Sequence, residues 1–212
     1  ERDSVSVPVL ILLAEILDAT GEYEEVAELY ERILLLEPTN IEHKFALAQI
    51  SQERNPTRSI ELFQQILLEE DDETTLWFLA QTYRKSGNYA NYVNTLERLY
   101  TLNSDIRVAN VLVQAYIHSE SYEKSLQLVL RSEFTARSDE FTDLHTALTE
   151  VLLELNDSTL LQVPSLVNFI DRMDKQQSTE WQFYFGNGML AARIQDSTLA
   201  ETFFRKALQY SD

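Results

Sequence analysis

Residues 21–40 read GEYEEVAELYERILLLEPTN: a Gly, an aromatic two places later, an apolar stripe, and a Pro near the end. Whether this stretch closes one ordinary helix or is one copy of a recurring unit decides the fold. It recurs. The turn residue Gly21 has counterparts at Asn55, Gly87 and Glu120, at intervals of 34, 32 and 33 residues. Two places after each stand Tyr23, Thr57, Tyr89 and Tyr122. Tyr30, Phe63, Leu96 and Val129 follow at a constant interval of 33, as do Ile33, Ile66, Leu99 and Ser132. Ahead of the turns, Leu10, Leu76 and Ala109 pair with Leu13, Leu79 and Leu112, a spacing that places both members on one helical face.

The unit is therefore a helix, a short turn, a second helix and a second turn, which ends near Pro38, Asp71 or Ser104. Gly21 and Gly87 tolerate the left-handed backbone that stops a helix. Pro38 cannot continue one, because it lacks the N–H and its ring clashes with the preceding turn. Asn40 and Thr74 are the expected N-caps of the helices that follow. Small residues at Ala14, Ala48 and Ala80 let the paired helices approach closely, and Tyr30, Phe63 and Leu96 fill the space against the next unit.

This pattern resembles the tetratricopeptide repeat family. Its marks fall on Leu10, Leu13-Ala14, Leu17, Gly21, Val26, Tyr30, Ile33 and Pro38, and again on Leu76, Leu79-Ala80, Tyr83, Gly87, Tyr92, Leu96 and Leu99. Four repeats are expected within residues 1–139, at about 7–40, 41–72, 73–105 and 106–139. A divergent pair follows at 140–176, where Asn156-Asp157-Ser158 replaces the Gly turn. A last pair at 177–212 recovers the pattern at Gly188, Ala200, Phe204 and Ala207, with a first helix about one turn too long. The resemblance implies an all-α, right-handed α-solenoid, a superhelix of about six antiparallel helix pairs in one continuous array. It also implies a non-enzymatic protein- or peptide-binding scaffold or adaptor. The alternative is a structural spacer or oligomerisation segment of a larger repeat protein.

Composition agrees and narrows the choices. Among 212 residues, 44% are hydrophobic, enough for a core, while only four Gly and four Pro leave little for a β-rich chain to turn on. With no cysteine there is no disulfide, thiol nucleophile or zinc–thiolate site. The net charge of −18 repels phosphate backbones and anionic lipid, so neither nucleic acid nor membrane insertion is expected. Apolar runs such as Val9-Leu10-Ile11-Leu12-Leu13-Ala14 fall far short of the ~20 residues that span a bilayer. A soluble chain of the cytoplasm or periplasm is expected, and the sequence does not choose between them.

Catalytic and metal chemistry find no foothold. His43, His118 and His145 lie in different repeats without ligand spacing, and no phosphate-binding Gly loop occurs. Gly186-Asn187-Gly188 sits inside a helical pattern and reads as close packing. The run Glu69-Glu70-Asp71-Asp72-Glu73 lacks the spacing of a calcium loop and reads as a solvated turn. No catalytic residue, metal ligand or cofactor is assigned.

The partner is expected on the inner wall. The family spacing places Thr74, Trp77, Gln81, Arg84 and Lys85 there from the third repeat, and Arg107, Asn110, Gln114, Ile117 and His118 from the fourth. Ile11, Glu15, Asp18, Phe45, Gln49 and Gln52 precede them as a more acidic, amide-rich stretch. Trp77, Gln81, Arg84, Lys85, Arg107, Asn110, Gln114 and His118 are the candidate peptide-binding residues, for a segment of acidic or C-terminal carboxylate character. The Lys–Asn pair with which related arrays clamp chaperone tails is absent from all four first helices. The aromatic cluster Trp181, Phe183, Tyr184, Phe185, Phe203 and Phe204 is the expected surface for self-association or further repeats.

Overall fold

The computed structural model describes residues 6–68, 71–131, 151, 154 and 181–211. The expected fifth pair at 140–176 apart from Val151 and Glu154, the tripeptide at Asn156, His145, and Glu69 and Glu70 all lie outside the described residues. Ten helices and no strand occur among the described residues. The chain divides into two compact units, Glu1–Asn103 and Ser104–Asp212.

The first unit holds α1 (Val7–Thr20), α2 (Tyr23–Leu36), α3 (Ile41–Ser51), α4 (Pro56–Ile66), α5 (Glu73–Lys85) and α6 (Tyr89–Asn103). Each helix packs on its neighbours in the chain, α1 on α2, α2 on α3, and so on to α6. Short turns make consecutive helices antiparallel. The unit is a linear stack of helix pairs, the solenoid arrangement the repeat pattern implies. The second unit holds α7 (Ile106–His118) packed on α8 (Tyr122–Arg131), and α9 (Trp181–Arg193) packed on α10 (Ser197–Gln209).

The turn inside each pair has one recurring geometry. At Gly21, a φ of 83° allows its N–H to reach Asp18 O at 3.1 Å and the next N–H to reach Leu17 O at 2.9 Å. The same two bonds close the turns at Gly87, Glu120 and Gln195, with φ of 74°, 56° and 66°. Two of the four are not glycine, so Glu120 and Gln195 carry left-handed strain that glycine would avoid. Asn55 departs from the motif. Its φ is −137°, its N–H reaches Ser51 O, and its side chain caps α4 by accepting from the Arg58 N–H.

The other caps follow from short polar side chains. Asn40 accepts from the His43 N–H at 3.1 Å and Asp196 from the Leu199 N–H at 3.0 Å. The expected cap at Thr74 is corrected. Asp72 caps α5, accepting from both the N–H and the hydroxyl of Thr75, and Thr74 lies in the first turn of the helix. A carboxylate outcompetes a hydroxyl there because it meets the exposed N–H dipoles with a full charge. The acidic run is thus more than a solvated turn: Asp72 caps, and Asp71 pairs with Arg98.

Packing matches the small-residue reading. Ala14, Ala48 and Ala80 are buried, beside Leu10, Val26, Leu29 and Ile33 in the first pair. Between pairs, Phe63 is fully buried, and Phe78 of α5 seats against Phe45 at 5.4 Å and Phe63 at 6.2 Å between ring centroids. Gln52 ties the same joint, donating to Phe78 O at 3.2 Å and to the Thr82 hydroxyl at 2.8 Å. Arg58 grips Glu31 through both Nε and Nη2, which raises its pKa above the ordinary guanidinium value. In the last pair, Gly188 lies so close to Phe204 that a Cβ there would meet the ring at 2.7 Å. The Gly186–Gly188 stretch is buried inside α9, as close packing requires.

Candidate partner-binding trough

In the first unit, the first helices of successive pairs, α1, α3 and α5, line two adjoining concavities. One, of about 610 Å³, is walled by Glu15 and Asp18 of α1, Tyr23 and Tyr30 of α2, and Gln49 and Glu53 at the α3 end. The other, of about 750 Å³, is walled by Glu42 and Phe45 of α3, then Asp71, Asp72 and Thr74 at the start of α5. Ala46 and Gln49 belong to both, so the two form one trough across α3. Its floor is apolar at Ala14, Val26, Ile50 and Ile66.

The walls are strongly acidic. Among the described residues, six carboxylates line the two concavities against one lining cation, Arg54, which itself pairs with Glu24; Glu53 and Asp71 are met from beyond the lining by Lys85 and Arg98. Tyr30 reports the field: burial first, then the nearby Glu15 and Asp18 carboxylates, raise its phenol above the ordinary tyrosine range. A third depression, of about 590 Å³, lies between α4 and α6 and is lined by amides, Tyr83 and Arg98.

The candidate site residues divide between the two units. Trp77, Gln81, Arg84 and Lys85 lie on α5 in the first, and Arg107, Asn110, Gln114 and His118 on α7 in the second. Trp77 is 37% exposed, so much of its ring faces solvent instead of the core. Gln81 is half-buried, and Arg84 and Lys85 are exposed. Lys85 is held by Glu53 of the first concavity. On α7, Arg107, Gln114 and His118 are exposed, Asn110 is half-buried, and Ile117 is buried and offers nothing to a partner. Arg107 is clamped by Asp105, the cap of its own helix, at 2.7 Å, and that contact lowers the Asp105 pKa below the ordinary carboxylate value. Among the described residues, three His, Asp or Glu side chains nowhere gather in a metal-binding set, and no helix is long and apolar enough to cross a membrane.

Of the aromatic cluster, Phe183, Tyr184 and Phe203 are buried in the α9–α10 core, whereas Trp181 and Phe185 are exposed and Phe204 half-buried.

A family model described as "Tetratricopeptide repeat" matches residues 7–50, which span α1, α2 and most of α3. No curated protein matches the sequence. Among solved structures, the fold is similar to a tetratricopeptide repeat protein from Parabacteroides merdae (TM-score 0.55, 14% identity, 97% of this chain and 93% of that one). It is also similar to a MamA RS-1 double mutant (TM-score 0.52, 14% identity, 97% of each chain). MamA from Desulfovibrio magneticus RS-1 is a further match (TM-score 0.50, 14% identity, 96% of this chain and 94% of that one). Identity this low speaks for the fold alone. The family model at residues 7–50 and the fold shared along the chain make it similar to tetratricopeptide repeat proteins.

Proposed function

We propose that this chain is a non-enzymatic scaffold that holds an extended segment of a partner protein in the trough of its first unit. The observation that supports this reading most is the continuity of the two concavities through Ala46 and Gln49, which gives room for several residues of extended chain. Solenoids of helix pairs offer this kind of concave surface to other polypeptides. The amide of Gln49 suits a peptide backbone, and Phe45 suits an apolar side chain.

The wall chemistry favours a segment carrying Lys or Arg beside an apolar anchor. Two of the cations that would suit an acidic partner are engaged elsewhere, Lys85 with Glu53 and Arg107 with Asp105. Exposed Arg84 is the remaining support for an acidic partner.

Selection of random peptides displayed on phage against the purified chain tests this. Enriched peptides should carry two or more basic residues and lose about tenfold in affinity, ~1.4 kcal/mol, when Glu15→Gln and Asp18→Asn are combined. Gln49→Arg, which fills the trough at its centre, should abolish binding. Arg84→Glu with Arg107→Glu should leave it unchanged or stronger. Acidic peptides lost on that last double change would replace this reading with the carboxylate-binding one.

A further inference from the structure

The first and last helix pairs carry the two halves of one joint. Inside the first unit, Phe78 of α5 seats against Phe45 and Phe63, and its neighbours Thr75, Leu79 and Thr82 are 2%, 3% and 0% exposed under the preceding pair. The repeat register that aligns Ala80 with Ala14 puts Val9, Leu12, Leu13 and Ile16 of α1 at those four positions. Here all four are exposed, between 43% and 62%. They form an apolar stripe with the i, i+3, i+4, i+7 spacing of a helix face built for another helix.

In the last pair, the register that aligns Gly188 with Ala48 puts Phe185 where Phe45 stands, and that aligning Ala207 with Ile66 puts Phe204 and Leu208 where Phe63 and Leu67 stand. Phe185 and Phe204 meet at 6.0 Å between centroids, close to the 5.6 Å of Phe45 and Phe63. Trp181, one turn earlier on α9, meets Phe185 at 6.0 Å, but among the described residues no ring of another helix bridges Phe185 and Phe204 as Phe78 bridges Phe45 and Phe63: Leu208 is 73% exposed, while its counterparts Leu34 and Leu67 are 9% and 6%.

We propose that a second copy of this chain docks head to tail, with the α1 stripe of one copy seated on the Phe185–Phe204–Leu208 face of the next. The occupant follows from register and charge. The plug and the seat belong to the same chain and align position by position with the joint of α5 on α3 and α4, the seat with the same residues and the plug with apolar ones throughout. The α1–α2 pair is rich in carboxylates, among them Glu15, Asp18, Glu24 and Glu25, so two such heads repel each other. The α9–α10 pair sets Arg193, Arg205 and Lys206 against Asp196 and Glu201, the latter paired with Arg205, so it repels such a head far less than a second head would. Such a contact is heterologous, so each addition leaves a free plug and a free seat.

Light scattering over a concentration series tests it with two single variants, Leu12→Asp and Leu208→Asp. Both replace exposed side chains, so circular dichroism should show folded protein in each. The parent mass should climb past dimer with concentration, while each variant alone stays monomeric. An equimolar mixture of the two variants should stop at dimer, because the Leu12→Asp chain still offers a seat and the Leu208→Asp chain still offers a plug. A parent that is monomeric at every concentration overturns the proposal and leaves the two faces to helices of another origin. A dimer unaffected by Leu208→Asp overturns it too, in favour of α1 meeting α1.

Discussion

Single residues at the repeat joints make the sharpest energetic statements. Ser59 sits at the small position of α4, fully buried, and its hydroxyl has no hydrogen-bond partner among the described residues. Ser59→Ala removes that unmet polar group at no cost in space, and urea unfolding should show a gain of ~1 kcal/mol. Gly188→Ala has the opposite sign. Helix propensity favours Ala by ~0.8–1.0 kcal/mol, but overpacking against Phe204 costs ~1–3 kcal/mol, so a net loss is expected. Asp105 adds a pH dependence. Because the Arg107 guanidinium holds its pKa down, its contribution is fully present above the ordinary carboxylate range and is lost as pH falls through the lowered folded value. The stability gap between the parent and Asp105→Asn, followed by thermal melts, should therefore close as pH drops below ~4.

At the scale of helices and turns, Phe63 and Phe204 hold equivalent places in the repeat but not equivalent surroundings. Phe63→Ala should cost ~3–5 kcal/mol, as for a buried ring, whereas half-buried Phe204 should cost clearly less. Equal losses in urea unfolding would mean the α9–α10 face is already covered. This is also the scale at which the sequence is most legible. Periodicity and the Gly turns at Gly21 and Gly87 mark the helix pairs, because glycine is the residue a left-handed turn prefers. The turn at Gln195 carries no such mark: it reaches a φ of 66° without glycine, a strain that surrounding packing supplies and composition does not record. Asp72 takes the cap from Thr74 because carboxylate and hydroxyl compete within two residues, closer than a pattern resolves. In the candidate site, the repeat spacing marks Glu15 and Gln49, which line the trough, and Trp77, which is exposed on α5. The tethering of Lys85 by Glu53, 32 residues upstream, is not so marked, because it depends on which side chains two stacked helices bring within reach.

For the molecule as a whole, charge is the strongest influence beyond packing. A net charge of −18 repels itself within any compact state, and its acidic excess lies mainly in the first two repeats and at 140–176, the two repeats between them being balanced. Raising the salt from about 20 mM, where the Debye length is ~20 Å, to 0.5 M, where it is a few ångströms, should raise the melting temperature. The same screening should weaken a basic peptide held by the trough. These two responses run in opposite directions and separate stability from binding. The most direct check of the trough is hydrogen exchange of the parent chain with and without a selected basic peptide. Slower exchange in α1 and α3 and at the start of α5, with α4 and α6 unchanged, is the expected result. Protection confined to α4 and α6, beside the depression lined by Tyr83 and Arg98, would contradict it.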